Sequence, residues 1–522
     1  MPTLEKTELV ANAAGRMVPE VVNGRIETPF MGIGKYQPVG GKASPPIRTA
    51  ADYAADGDKR VPDLETALRK CGLRDGMVLS SHHHLRDGDR VAMMALHAAA
   101  KIGVKGLTWF PSASFPSQQG AIELMKSGVI DHIEGSMNGP LGDYCTQGKM
   151  HGMGVLRSHG GRWQAIQDGE VHIDTAVIAA PSSDPFGDCD GSHGQSACGS
   201  LGFALADSIY ADHVIVVTDN MVPFPCVPWQ IQGNNVDYVV EVDSIGDPAR
   251  IVSGTTQMTR SPDRLRIAEF VARFLRDAGI MRNGFSFQAG AGGIALAFVS
   301  YLKQMMKQAG VRARFVRGGS TKYLVEMLEE GLTDYILDGQ TFDLEGVRSL
   351  ATNPRHVATS PFTSYNYHGK ENFASMIDAV VLGATEVDIN FNANVVTHSD
   401  GRLLHGIGGW QNCLASRCTI LAVPSFRDRI PVLVDEVTTL CGLGELIDVV
   451  ATERGIAINP RRQDLIDAVK GSKLPIRSLR EIKEEVERIC GGKPRRPKRT
   501  DRPVAVVKWV DGTVLDTVWQ VS

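Results

Sequence analysis

"VHIDTAVIAAPSSDPFGD" occupies residues 171–188, and "TEVDINFNANVVTHSDGRL", at residues 385–403, shows a similar order of features. In each, an Asp opens a β-rich run (Asp174, Asp388), and an Asp and a Gly close it (Asp184 with Gly187, Asp400 with Gly401). The next segments repeat as well: an apolar strand, "HVIVVTDN" (213–220) or "CTILAVPSF" (418–426), then "VDYVVEVDSIGDP" (236–248) or "LIDVVATERGIAINP" (446–460). Self-similarity on this scale reads as a divergent duplication. Between the strands lie helical patterns. "SPDRLRIAEFVARFLRDAGI" (261–280) opens with Ser-Pro-Asp and sets Leu265, Ile267, Phe270, Val271 and Phe274 on one face. "LAFVSYLKQMMKQAG" (296–310) and "TKYLVEMLEEG" (321–331) each stop at a glycine. Short apolar strands alternating with such helices predict an α/β fold of two related layered domains with largely parallel sheets. The expected domains are 1–255 and 256–490, with the boundary in 253–262. After them, 491–522 reads as a Pro-rich basic linker, "GGKPRRPKRTDRP", and a terminal β-hairpin turning at "VDG".

Bulk properties agree with this reading. A chain of 522 residues is too long for one ordinary core, and 55 glycines suit a fold with many tight strand–helix turns. A net charge of −4 gives no global case for nucleic-acid or membrane binding. Nine cysteines, none in a C-x-x-C pair, indicate neither a disulfide framework nor a zinc ribbon. The N-terminal stretch lacks the apolar centre of a signal peptide, and no apolar run is long enough to span a membrane. The expectation is a reduced, soluble, cytoplasmic protein.

Two glycine-rich turns stand between an apolar strand and a helical pattern. "HGIGGWQN" (405–412) carries Gly406, Gly408 and Gly409, and "FQAGAGGIALAF" (287–298) carries Gly290, Gly292 and Gly293. The first lacks the third glycine and later acid of a dinucleotide fingerprint. Each turn fits two readings: glycine required for turn geometry and close packing, or bare backbone presented to a ligand. "SSHHHLRDGD" (80–89) invites a metal reading, but adjacent histidines on a strand point to opposite faces and its acids fall in a turn, so the spacing makes no metal site.

These stretches resemble the two halves of CoA-transferases. "SSHHHLRDGD", "GQTFDLEGVRSL", "SPFTSYNYHGKENFASMIDAVVLGATEVDINFN" and "PSFRDRIPVLVDEVTTLCG" are more similar still to the citrate lyase alpha subunit family, over roughly residues 25–520. The resemblance implies an active site between two related α/β domains. It also implies a transferase that exchanges acetyl for citryl on an acyl-carrier thioester. The partners implied are citrate, a small carrier (gamma) subunit bearing a prosthetic group derived from dephospho-CoA, and a citryl lyase (beta) subunit in a hetero-oligomer. No permanently bound cofactor is implied, and free acetyl-CoA can replace the loaded carrier. In this light Gly406, Gly408 and Gly409 would serve the thioester, with Gly408 and Gly409 at the reacting carbonyl. Gly290, Gly292 and Gly293 would meet phosphate or carboxylate.

Many CoA-transferases carry a nucleophilic Glu on the strand after the second turn. That strand here, "VRARFVRGGSTK" (311–322), has none, and Glu326 and Glu329 lie on the next helix. The departure favours direct attack by a citrate carboxylate through a mixed anhydride. A tricarboxylate needs fixed cations, Arg above all. Arg317, at the position of the missing Glu, is the leading candidate, with Arg402, His405, Arg86 and His83 behind it, each also open to a surface or structural role. Ser364, Asn366, His368 and Asn372 are further candidates for the site or for a solvated loop. "KPRRPKR" (493–499), with Lys493 and Lys498, is a linker or a docking site for an acidic carrier. A relative acting on another acid such as citramalate, a thioester hydrolase and a non-catalytic scaffold are the alternatives.

Overall fold

The computed structural model describes residues 7–41, 44–45, 56–252 and 256–521. The expected boundary at 255/256 falls beside residues 253–255, which lie outside the described residues. In the first half the strands of the large sheet, with one that joins the terminal hairpin, are β1 (Arg60–Val61), β2 (Val78–Ser81), β3 (Leu107–Pro111), β4 (Ile130–Ile133), β5 (Gly154–Leu156), β6 (Thr175–Ala180), β7 (His213–Thr218) and β8 (Tyr238–Glu241). The second half holds β9 (Ser286–Ala289), β10 (Ala313–Ser320), β11 (Thr333–Thr341), β12 (His356–Ala358), β13 (Ala379–Leu382), β14 (Thr419–Ala422), β15 (Val449–Thr452) and β16 (Gly455–Ile458). The chain closes with β17 (Arg499–Lys508) and β18 (Val514–Val521). The helices that bear on the site are α1 (Val91–Lys101), α2 (His159–Gln167), α3 (Pro262–Asp277), α4 (Gly293–Ala309), α5 (Lys322–Glu329) and α6 (Pro361–Tyr365).

The first sheet runs β1-β8-β7-β6-β2-β3-β4 and is parallel throughout. The second runs β16-β15-β14-β13-β9-β10-β11-β12, parallel except for the edge pair β15–β16. Six strands of each sheet therefore occur in the same order, so the duplication is real at the level of topology.

Its register differs from the one expected. The counterpart of Asp174 is Asp378, not Asp388. Asp174 heads β6 and accepts the Val78 N–H at 2.8 Å, and Asp378 heads β13 and accepts the Ser286 N–H at 2.9 Å. One strand further out, Asp237 accepts the Val214 N–H and Asp448 the Thr419 N–H, both at 2.7 Å. Asp388 instead matches Asp184. Both fold the loop after them by accepting successive backbone N–H groups, Phe186, Gly187 and Asp188 in one half and Asn390 and Asn392 in the other. "TEVD" imitates "HIDT" because both set an Asp against apolar β-formers, and a short motif carries no register of its own.

Alternation along the second sheet decides how the halves join. Val380, Leu382, Leu421 and Val450 face a core shared with the first half, while Ala379, Val381, Ile420, Ala422, Val449 and Ala451 face the core covered by α3 and α4. Period-2 burial on both faces is what a parallel sheet with covered faces requires. The terminal hairpin is not an appendage: β17 pairs in parallel with β5 of the first half. Lys508 on it is buried, with its ammonium on Glu27 and on Glu170 at 2.9 Å. In the basic run, Lys493 pairs with Asp435, and Arg496 donates to the Glu436 carbonyl at 2.9 Å.

Candidate active site

The C-terminal ends of the two sheets meet. Residues after β2, β4 and β6 and the start of α2 touch the ends of β10 and β11, helix α6 and the turn before Trp410. Thus Gln340 Nε2 donates to the His83 carbonyl at 3.3 Å, Ser200 Oγ to the Thr359 carbonyl at 3.2 Å, and the Gly160 N–H to Asn412 Oδ1 at 3.0 Å.

Arg317 lies at this junction, 1% exposed on β10. One Nη donates to Gln288 Oε1 and to the Tyr365 hydroxyl, both at 2.9 Å, and the guanidinium stacks 4.4 Å over the Tyr365 ring. Its Nε is buried without a partner, and among the described residues no carboxylate pairs with it. Taking a charge out of water costs several kcal/mol unless an opposite charge compensates, so this guanidinium is suited to pair with a carboxylate. Gln288 also donates to the Cys413 thiol at 2.9 Å. Burial pushes the Cys413 and Tyr365 pKa values up, so both stay protonated at neutral pH.

The first glycine turn sits beside this group. A Cβ on Gly406 would fall 2.0 Å from the Ser136 Cβ, and one on Gly409 2.5 Å from the Tyr365 hydroxyl. Gly406 and Gly409 therefore permit close packing. Gly408 differs: at φ +63° it is left-handed, its carbonyl accepts the His159 N–H at 2.8 Å, and its bare side meets only His159 Nε2, 3.9 Å away. At the second turn, a Cβ on Gly290 or Gly292 would meet nothing within 4 Å, whereas one on Gly293 would meet the Gln257 carbonyl oxygen at 2.8 Å. Gly292 caps the 17-residue helix α4, and Gln288 joins this open turn to Arg317. The dipole of such a helix favours an anion there.

The three histidines follow β2 instead of lying on it, yet they still alternate in facing. His82 and His84 face inward: His82 Nε2 lies 3.1 Å from Asp207, which Arg162 also holds at 2.6 Å, and His84 Nε2 meets the Ala179 carbonyl at 2.6 Å. Burial, reinforced by His82, takes the His84 pKa down to about 3. His83 faces the junction, bonded to Ser112 Oγ at 2.6 Å and stacked 4.5 Å from Phe203; burial, with the Arg86 guanidinium nearby, holds it neutral. Arg86 takes the left-handed region at φ +53° and places its guanidinium 4.4 Å over Phe342, with burial lowering its pKa to about 10.

The remaining candidates face solvent or already have partners. Arg402 is exposed, 3.9 Å from Asp400, and His405 is exposed with Nδ1 on the Gly406 carbonyl. Ser364 is buried against Thr359, His368 pairs with Asp168, and Asn372 caps a surface turn by accepting the Ser375 N–H. Glu326 and Glu329 are tied to Lys303 and Arg348 on the outer side of α5, so neither is a nucleophile for this site. His172, Asp174 and Asp212 come close enough to share a metal, but they stand at the opposite end of β6, and Asp174 already holds the Val78 N–H. A cavity of about 720 Å³, walled by Met93, Met94, Asp89 and Arg250, lies behind the Arg86 turn and includes none of the groups at the junction. His159, Tyr365 and Gln288 were missed by sequence reasoning. Tyr365 lies inside the polar stretch that raised Ser364 and Asn366, and Gln288 begins the second glycine turn; His159, after the N-cap Ser158, had no local signal.

Duplicated parallel sheets with covered faces, whose strand ends enclose glycine turns and the buried Arg317 guanidinium, fit a transferase of the CoA-transferase class. The chain belongs to the citrate lyase alpha subunit family: the family model "Citrate lyase, alpha subunit (CitF)" matches residues 57–521. The citrate lyase alpha chain of Haemophilus influenzae is 39% identical over 477 residues, 91% of this chain and 94% of that protein. The alpha chain of Klebsiella pneumoniae is 39% identical over 475 residues, 90% and 93%. A structure from Streptococcus mutans, described as an alpha subunit of citrate lyase in complex with citrate, superposes with a TM-score of 0.93 at 37% identity, covering 98% of this chain and all of that one. A 4-hydroxybutyrate CoA-transferase from Porphyromonas gingivalis shares the fold alone, with a TM-score of 0.54 at 16% identity over 82% of this chain and 98% of that one.

Proposed function

We propose that the chain exchanges acetyl for citryl on a carrier thioester by direct attack of a citrate carboxylate, with no enzyme nucleophile. The family supports the reaction: acetyl-carrier and citrate give citryl-carrier and acetate. The thioester belongs to a dephospho-CoA-derived arm on a separate carrier subunit, for which acetyl-CoA substitutes. A citryl lyase subunit then cleaves the product, so the chain works in a hetero-oligomer, in the cytoplasm. In the exchange, a carboxylate oxygen of citrate attacks the acetyl carbonyl and the carrier leaves as thiolate. The mixed acetyl–citryl anhydride is then opened at its citryl carbonyl by that thiolate, and acetate departs with the bridging oxygen. The observation that carries this reading is Arg317, buried at the junction of the two sheets with no carboxylate paired to it among the described residues. Fixing citrate against Arg317 supplies proximity, and backbone and side-chain donors stabilise the oxyanion. The basic run 493–499 is a candidate carrier contact through Lys498, since Lys493 is already paired.

The purified chain, given acetyl-CoA and citrate, is expected to form citryl-CoA and acetate in equal amounts by mass spectrometry, and neither when citramalate replaces citrate. Acetate without citryl-CoA would make it a hydrolase. No product from folded protein, with loaded carrier also supplied, would make it a scaffold.

A further inference from the structure

We infer that His159 is a catalytic residue of the exchange, a neutral imidazole whose Nε2–H donates to the oxyanion formed on the acyl carbonyl at Gly408. The inference rests on the exchange reading above.

Three observations converge on it. First, the residue is fixed from both sides. Ser158 caps α2 by accepting the Gly161 N–H at 3.0 Å, the His159 N–H holds the Gly408 carbonyl at 2.8 Å, and the ring packs in a three-ring cluster with Phe203 at 4.4 Å and His83 at 5.2 Å. Second, neighbouring histidines have committed ring nitrogens: His82 to Asp207, His83 to Ser112, His84 to the Ala179 carbonyl, His356 to Asp338 and His368 to Asp168. Neither ring nitrogen of His159 has a hydrogen-bond partner among the described residues, and the side chain is half-buried, not sealed in. Third, Nε2 faces the bare side of Gly408, while the next glycine faces the Tyr365 hydroxyl that Arg317 holds. A carboxylate on Arg317 and an acyl carbonyl over Gly408 are thus served by different donors of one continuous group.

The protonation state suits the role. Burial, then the Arg162 and Arg317 cations, take the His159 pKa down to about 3, so the ring has an N–H to donate and no charge to repel a cationic receptor. No proton is transferred: the hydrogen bond shortens as negative charge gathers on oxygen and relaxes when the thiolate leaves.

Two variants separate donation from packing. His159→Phe keeps a ring packed against Phe203 and His83 and removes the donor; His159→Gln keeps a donor and removes the ring. With acetyl-CoA and citrate, His159→Phe is expected to lower kcat at least 50-fold while the KM for citrate moves less than threefold, and His159→Gln to retain at least ten times the kcat of His159→Phe. Melting temperatures identify a variant that fails to fold, in which case the other decides. A His159→Phe enzyme within threefold of wild type, a His159→Gln enzyme no better than His159→Phe, or a loss confined to the KM for citrate overturns the assignment while exchange stands. A wild-type chain that makes no citryl-CoA even with loaded carrier overturns the exchange reading, and the assignment with it.

Discussion

A guanidinium buried without a carboxylate beside it destabilises the fold by several kcal/mol relative to a paired or apolar side chain, and Arg317 is in that position. Such a cost persists where a ligand relieves it. Arg317→Met is therefore expected to leave the melting temperature unchanged or raise it, and to lower kcat/KM for citrate at least 100-fold. Millimolar citrate should raise the melting temperature of the wild type and not that of the variant. An Arg317→Met enzyme that still melts later in citrate would place the carboxylate receptor elsewhere. Arg317 was legible in the sequence because two glycines come after it on a strand where a glutamate was expected. His159 was not, because its importance comes from Gly408, which lies far along the chain and reaches it only when the halves close.

At the scale of the element, four aspartates repeat one device. Each heads a strand and accepts the first or second N–H of another strand of its sheet, in pairs Asp174 with Asp378 and Asp237 with Asp448. Removing the acceptor leaves a buried N–H unsatisfied, so Asp237→Ala is expected to lower unfolding free energy in urea by about 1–3 kcal/mol. An unchanged urea midpoint would refute the role. The histidine segment after β2 carries a second consequence. The His84 pKa stands at about 3 in the fold, against about 6.5 for an unperturbed imidazole. Below pH 6.5 the unfolded chain takes up a proton that the folded chain refuses, so stability falls as pH drops toward 3, by about 1.4 kcal/mol per pH unit for that one histidine. The fall in urea midpoint between pH 7 and pH 5 should be smaller in His84→Gln; equal falls would contradict it. Strand identity and the duplication were legible here because apolar runs and helix caps are local. Register was not, since Asp174 and Asp388 look alike until the hydrogen-bond partner of each is known.

Across the whole molecule, two sheets of matching strand order share a core, and their strand ends close over a site that neither half contains alone. The terminal hairpin reinforces the first half: it continues β5 and brings Lys508 between the carboxylates of buried Glu27 and half-buried Glu170. The sequence carried the fold class and the family, because period and spacing survive divergence. It could not carry the site's membership, which is set by how the halves face each other. Arg317, Tyr365, Gly408 and His159 become one group only in the assembled chain, and that group has a cation and donors but, among the described residues, no acid paired with Arg317. The most direct test is a single turnover with acetyl-CoA and citrate labelled with 18O in its carboxylates. The account predicts acetate carrying one 18O atom, because the attacking citrate oxygen leaves with the acetyl group. Unlabelled acetate, with 18O found in a glutamyl residue of the enzyme, would contradict it.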